Sequence, residues 1–182
     1  ALLWGVAVGN IVRGLPMDAD FNFTGTFFDL LNPYSLVVGL TTLSLFFYHG
    51  LVFISLKTDG ELKERAHKLA VPVGLVVAVL AIVLFTWTFI AYQSIPQLVF
   101  ALVAVVAFVV SWIANLLRRD GISFTGGVVT IAFAVLSLFS SMFPNLLRNL
   151  SDPANPLTIY NGSATEQTLQ IMSWAFLAII PF

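Results

Sequence analysis

Apolar residues in this chain come in runs of about twenty, and the polar residues gather in the gaps between the runs. A bilayer core is crossed by about 20 mainly apolar residues in a helix, so runs of this length predict spanning helices instead of amphipathic surface elements. Complete runs occupy approximately residues 33–56, 69–92, 97–117 and 122–143, and two cut pieces lie at 1–12 and 169–182. The expectation is an all-α polytopic membrane protein, a single domain over residues 1–182 built as an antiparallel transmembrane helix bundle. Both ends fall inside apolar segments, where half a spanning helix leaves backbone groups unpaired in lipid, so a piece of a longer subunit is expected.

Local signals mark the helix ends. Asn32-Pro33 supplies a side-chain cap followed by a proline whose missing N–H costs nothing in the first turn. Pro72 is read the same way, in the first turn of the run 69–92. Ser94-Ile95-Pro96 is a tight break that makes its neighbours an antiparallel hairpin. Glu61/Arg65 and Glu64/Lys68 are spaced i,i+4 with the acid first, which favours a helical turn at the membrane surface within the loop 57–68.

Composition agrees with a lipid solvent: 59% of residues are hydrophobic, 9% are charged, and the mean hydropathy is +0.97. The net charge of −1 gives no reason to expect nucleic acid, and the absence of cysteine excludes disulfides and thiolate metal sites. Six of the basic residues, Lys57, Lys63, Arg65, Lys68, Arg118 and Arg119, lie in two loops, whereas Arg13 and Arg148 lie in the others. The positive-inside rule therefore makes loops 57–68 and 118–121 cytoplasmic and loops 13–32 and 144–168 extracytoplasmic.

Within the runs, Thr130, Ala134, Ser137 and Ser141 recur at helical spacing and form a shallow face suited to close helix packing, and Gly126-Gly127 reads as another such contact. Thr41, Ser44, Tyr48 and Ser55 make a polar stripe on the run 33–56, with His49 beside it, so this face is expected to look into the bundle. His49 is the ionisable residue deepest in a run, about 12 Å from Lys57 at a rise of 1.5 Å per residue. It suits three roles: a neutral imidazole bonded to a neighbouring helix, a proton carrier with Tyr48 and Ser44, or a metal or haem ligand. The first is preferred because a lone histidine lacks a companion. His67, in the charged loop, is read as a surface histidine.

The acidic residues all sit in loops or near interfaces, whereas an ion-coupled transporter or pump needs a buried acid or a broken helix near the midplane. A membrane transporter or channel subunit is accordingly the alternative, resting on the Thr41 to His49 stripe alone. Apart from His49, only Met142 and Met172 could ligate haem from within the runs, and they lie at or near the ends.

The loops carry a more specific signal. Gly9-Asn10, Arg13-Gly14-Leu15-Pro16 and Phe23-Thr24-Gly25-Thr26-Phe27-Phe28-Asp29-Leu30-Leu31-Asn32-Pro33-Tyr34 are followed by Tyr48-His49-Gly50 and Leu56-Lys57-Thr58-Asp59-Gly60-Glu61-Leu62. Met142-Phe143-Pro144, Asp152-Pro153, Leu157-Thr158-Ile159-Tyr160-Asn161-Gly162-Ser163 and Met172-Ser173-Trp174 come later. In order and spacing these blocks resemble subunit II of cytochrome bd-type quinol oxidases. The likeness is strongest towards the two ends and weakest over residues 73–123, where only generic apolar helix is visible.

The resemblance implies the C-terminal half of a subunit with about nine spanning helices. It implies a heterodimer in the bacterial or archaeal cytoplasmic membrane that oxidises quinol, reduces dioxygen to water and is electrogenic. Haem b and haem d would sit on the haem-bearing subunit I, with none ligated by this chain. Membrane lipid, a bound quinone and a small single-helix accessory subunit are further candidate partners. Asn10, Arg13, Asp29 and Asn32 match the family's outer-loop motif, and a structural role is preferred for each, with Asn32 and Asp29 serving the helix start that follows.

Overall fold

The computed structural model describes residues 1–179. Its helices are α1 (Leu2–Arg13), α2 (Pro33–Lys57), α3 (Gly60–Tyr92), α4 (Ile95–Leu116), α5 (Asp120–Ser140) and α6 (Glu166–Ile179). Four of them, α2 to α5, are long and apolar enough to cross a membrane. Their connections are very short, which forces antiparallel neighbours, and contacts of α2 with α3, α3 with α4, α4 with α5 and α5 with α2 close a four-helix bundle. The chain is thus an all-α polytopic membrane protein with an antiparallel helix bundle at its centre. Of the sixth run, residues 180–182 lie outside the described residues, and α6 itself has no buried residue.

Two buried clusters fill the bundle. Leu45, Tyr48, Leu51, Val52, Ala70, Val77 and Phe108 form one, and Val12, Tyr34, Val38, Leu84, Leu138 and Met142 form the other. The opposite faces of α2 to α5 carry exposed large apolar side chains, including Leu40, Phe47, Val79, Ile82, Val106 and Val135. In lipid these faces cost nothing, so close packing has to come from small residues. Between α1 and α2 a Cβ on Gly5 would lie 2.7 Å from the Gly39 Cα, and a Cβ on Gly39 would lie 3.0 Å from the Leu2 carbonyl oxygen. Glycine at both positions is what brings the two backbones together.

The helix ends follow their local chemistry. The Asn32 side chain accepts a hydrogen bond from the Ser35 N–H at 3.0 Å with Pro33 at the first position of α2, and Ser94 caps α4 by accepting from Gln97 N–H at 3.4 Å. Gln93, at φ 48°, closes α3 in the left-handed conformation, so the hairpin turns within two residues.

The helix expected within residues 57–68 is present, as the first turns of α3, a continuous 33-residue helix, and two local expectations are corrected. Pro72 consequently lies inside that helix and not in its first turn. Glu61 does pair with Arg65, but Glu64 reaches across to Arg118 through two hydrogen bonds of 2.9 and 2.8 Å instead of bonding Lys68. A bidentate guanidinium is a better partner for a carboxylate than a lysine along the same helix.

The loops 14–32 and 141–165 meet at one end of the bundle. The first contains a 3₁₀ turn (Phe27–Leu31), and the second a small antiparallel pair, β1 (Asn145–Leu147) with β2 (Leu157–Thr158). A bridge between Leu15 and Asn149 joins the two loops. The charged turns around residues 57–68 and 117–120 meet at the opposite end through Lys63, Glu64, Arg118 and Asp120.

Candidate functional site

The polar residues that could carry chemistry fall into three levels along the bundle. At the charged end, His67 occupies the inner face of α3 with Ala66, Ala70 and Gly74, so the periodicity that buries those small residues buries the imidazole too. It is 3% exposed, which corrects the surface reading. Its Nδ1 lies 2.9 Å from Asn115 Oδ1 of α4, and its Nε2 lies 2.9 Å from Asp120 Oδ1 of α5, the second contact within ion-pair range but off the line of a hydrogen bond. The other Asp120 oxygen receives Lys63 Nζ at 2.7 Å. Three helices are therefore tied by one buried ring.

At mid-bundle, Tyr48 is fully buried on α2, and its hydroxyl lies 3.1 Å from Ser111 Oγ of α4. Ser111 in turn donates to the Ser123 carbonyl of α5 at 2.6 Å, so the tyrosine O–H is left as donor to Ser111. His49, one residue on, points differently. Its ring is half-buried and stacked on Phe124, with centroids 4.7 Å apart, and its Nδ1 has no hydrogen-bond partner among the described residues. A Cβ on Gly127 would lie 2.6 Å from that nitrogen, so the glycine makes the space the imidazole fills. Ser44 joins neither neighbour: its hydroxyl donates back to the Leu40 and Thr41 carbonyls of its own helix.

Beside this level lies an apolar cavity of about 340 Å³, bounded by residues of α1 to α5 that include Trp4, Thr41, Leu45, Val77, Phe108 and Thr130. The small-residue face of α5 looks inward as expected, with Thr130, Ser137 and Ser141 buried. Ser137 donates to the Gln97 carbonyl at 2.9 Å and fastens α5 to the start of α4.

The third level is the loop end. Asn10 Nδ2 donates to the carbonyls of Val6 at 2.9 Å and Leu30 at 2.7 Å, while its Oδ1 accepts from Asn32 Nδ2 at 2.9 Å. One amide pair thus ties α1, the 3₁₀ turn and the start of α2. Asp29 accepts from the Thr26 N–H at 2.7 Å and the Thr26 hydroxyl at 2.9 Å, so it serves its own 3₁₀ turn and not α2. Those bonds, with the Arg13 guanidinium nearby, hold its carboxyl below the usual aspartate range. Arg148 stacks over the Tyr92 ring at 3.7 Å and donates to the Val12 and Ser141 carbonyls, which joins the late loop to α1 and α5.

Haem ligation can be tested on these surroundings. At His67, Nδ1 is bonded to Asn115 and Nε2 faces Asp120 in a closely packed interior, which does not fit a haem iron. At His49, Nδ1 is shut against Gly127 and one ring face is covered by Phe124. Among the described residues no group of three or more His, Asp or Glu gathers as a metal site. Helices α2 to α5 each run without interruption, so the Thr41 to His49 stripe is not accompanied by a break in its helix.

Comparison with known proteins agrees with the loop motifs. The chain is 35% identical to the cytochrome bd ubiquinol oxidase subunit 2 of Bacillus subtilis, covering 98% of this chain and 54% of that protein. It is 28% identical to a probable cytochrome oxidase subunit 2 of Haemophilus influenzae over 94% of this chain and 55% of the relative. It is 22% identical to the cytochrome bd-I ubiquinol oxidase subunit 2 of Escherichia coli K12 over 99% of this chain and 58% of the relative. The chain spans a little over half the length of these relatives. With the family described as cytochrome bd terminal oxidase subunit II matched over residues 1–182, the chain belongs to that family.

Proposed function

We propose that this chain works as part of the second, non-haem-ligating subunit of a terminal oxidase that oxidises quinol and reduces dioxygen to water. Family membership across residues 1–182 carries the reading. The engaged surroundings of His67 support leaving haem b and haem d to a larger partner, subunit I. This subunit then contributes shape and packing, and its polar levels are candidates for part of the proton or oxygen path. A small accessory helix and a bound quinone or lipid complete the proposed assembly. The family reading places the chain in a bacterial or archaeal cytoplasmic membrane, and the clustering of basic residues supports residues 57–68 and 118–121 lying inside and residues 13–32 and 144–168 outside.

The test is a reduced-minus-oxidised absorption spectrum, with quinol-driven oxygen uptake, on the complex that copurifies with the full-length subunit. Haem b and haem d bands, a larger haem-bearing partner and oxygen uptake are expected. A folded, haem-free preparation without that partner overturns the reading.

A further inference from the structure

We infer that the apolar cavity at mid-bundle is a binding site for dioxygen. That it takes a small apolar molecule follows from its walls, and the choice of dioxygen rests on the oxidase reading. The cavity, about 340 Å³, lies between the two buried clusters, drawing Leu45, Val77 and Phe108 from one and Leu84 and Leu138 from the other. Helices α1 to α5 all contribute, so the site is built from this chain's own helices.

The wall is poorly suited to water. Thr41, Thr42 and Thr130 supply its hydroxyls, and each donates to a carbonyl of its own helix: Val37 at 2.7 Å, Val38 at 2.8 Å and Gly126 at 2.7 Å. The other lining donor, the Trp4 indole N–H, belongs to a residue 73% exposed. A buried water needs about two to four polar partners, whereas a cavity of roughly 150 Å³ with apolar walls stays dry and takes up benzene or xenon. Alanines leave the space: Ala78 and Ala81 of α3, Ala104 of α4 and Ala134 of α5 line it, where larger side chains would fill it.

Dioxygen suits this space better than a lipid tail does. Along α3 the lining runs from Val77 to Phe85, about 12 Å at 1.5 Å per residue. A tail that crosses half of a bilayer core of about 30 Å reaches about 15 Å, so it has to bend and give up rotamer freedom to fit. A diatomic gas has no such freedom to lose. As an apolar solute it also leaves water for a dry interior without needing a hydrogen bond from the wall. Dioxygen is the small apolar reactant of an oxidase.

The experiment pressurises crystals of the complex containing the full-length subunit with xenon and, separately, with dioxygen. Xenon is expected in the cavity by its anomalous signal, with dioxygen density at the same place. A134F, which fills the cavity from α5, should abolish both, while V106F, on an outward face of α4, should leave them unchanged. If A134F does not assemble, A81F fills the same space from α3 and decides. Absence of xenon, xenon without dioxygen, or ordered water or a lipid or quinone tail in the cavity overturns the proposal. The gas readout needs neither haem nor turnover, so its failure is told apart from failure of the oxidase reading, which the absorption spectrum reports.

Discussion

The buried bond between His67 and Asn115 makes a quantitative prediction. Both side chains are almost wholly buried, at 3% and 2% exposure, and they join α3 to α4. Replacing one partner with leucine keeps the volume but strands the other, and an orphaned buried polar group costs about 1–3 kcal/mol. Replacing both removes the orphan, so H67L/N115L should cost little more than either single change. In membrane bundles the unfolded helices find other partners, and measured couplings average about 0.6 with a maximum near 1.7 kcal/mol. This site has the additional Asp120 contact on the same ring, so a coupling of about 1 kcal/mol is expected. The assay is reversible unfolding of the full-length subunit in mixed micelles, followed by helical signal against denaturing detergent. As an internal control, E64Q breaks the Glu64 to Arg118 pair, whose side chains are about half-exposed, and should stay within about 0.5 kcal/mol. Single changes that add without coupling, or an E64Q effect as large as H67L, would refute the ranking of buried over rim contacts.

The remaining expectations concern the other two levels. G127A should destabilise by about 1–3 kcal/mol because its Cβ meets His49 Nδ1 at 2.6 Å, and H49A should relieve most of that loss; an unrelieved loss in the double variant removes His49 from the packing account. N32A should cost about 1 kcal/mol through the lost cap of α2 and additionally loosen α1, which protease sensitivity of loop 14–32 would report; intact protection would show the Asn10 contact to be dispensable. Asp29 is held below the usual aspartate range, so its stabilisation of the 3₁₀ turn is complete above that range and lost as pH falls through the lowered value. Hydrogen exchange at the Thr26 amide, compared with D29N at each pH, should converge with the variant only in acid; a difference that persists there contradicts the assignment.

Run length and punctuation were enough to read the bundle, because twenty apolar residues between caps leave a chain few alternatives in lipid. Asn32, Ser94 and Pro96 stop or start helices through bonds between near neighbours, and near-neighbour chemistry is visible in sequence. His67 was misread because the charges at 61–68 mask the inward row of Ala66, Ala70, Gly74 and Val77 that begins among them. That row, spaced at four and three residues, was the available signal, and His67 lies on its flank. Asn115 and Asp120, by contrast, acquire their importance only from α4 and α5 lying beside α3, which no local pattern encodes. The same holds for Ser44: its place on a polar stripe suggested a contact across the bundle, but a hydroxyl in a helix can satisfy itself on the carbonyl one turn back.

The distribution of these bonds has a consequence for how the bundle can move. The charged end is fastened by side chains of α3, α4 and α5 that meet at one carboxylate, and the loop end by amides and a guanidinium that hold backbone carbonyls. Between them, the direct polar tie from α2 to its partners is the Tyr48 to Ser111 bond, and the adjoining apolar cavity offers little resistance to a shift of side chains. The charged-end ties do not include α2, so α2 opens most easily away from α4 between Tyr48 and Lys57, while Asn32 and Tyr34 hold its start. Y48F should therefore increase hydrogen exchange from the centre of α2 towards Lys57 while leaving the Pro33 end protected. Loosening that is uniform along α2 would show that the tyrosine is not what holds this half of the helix closed.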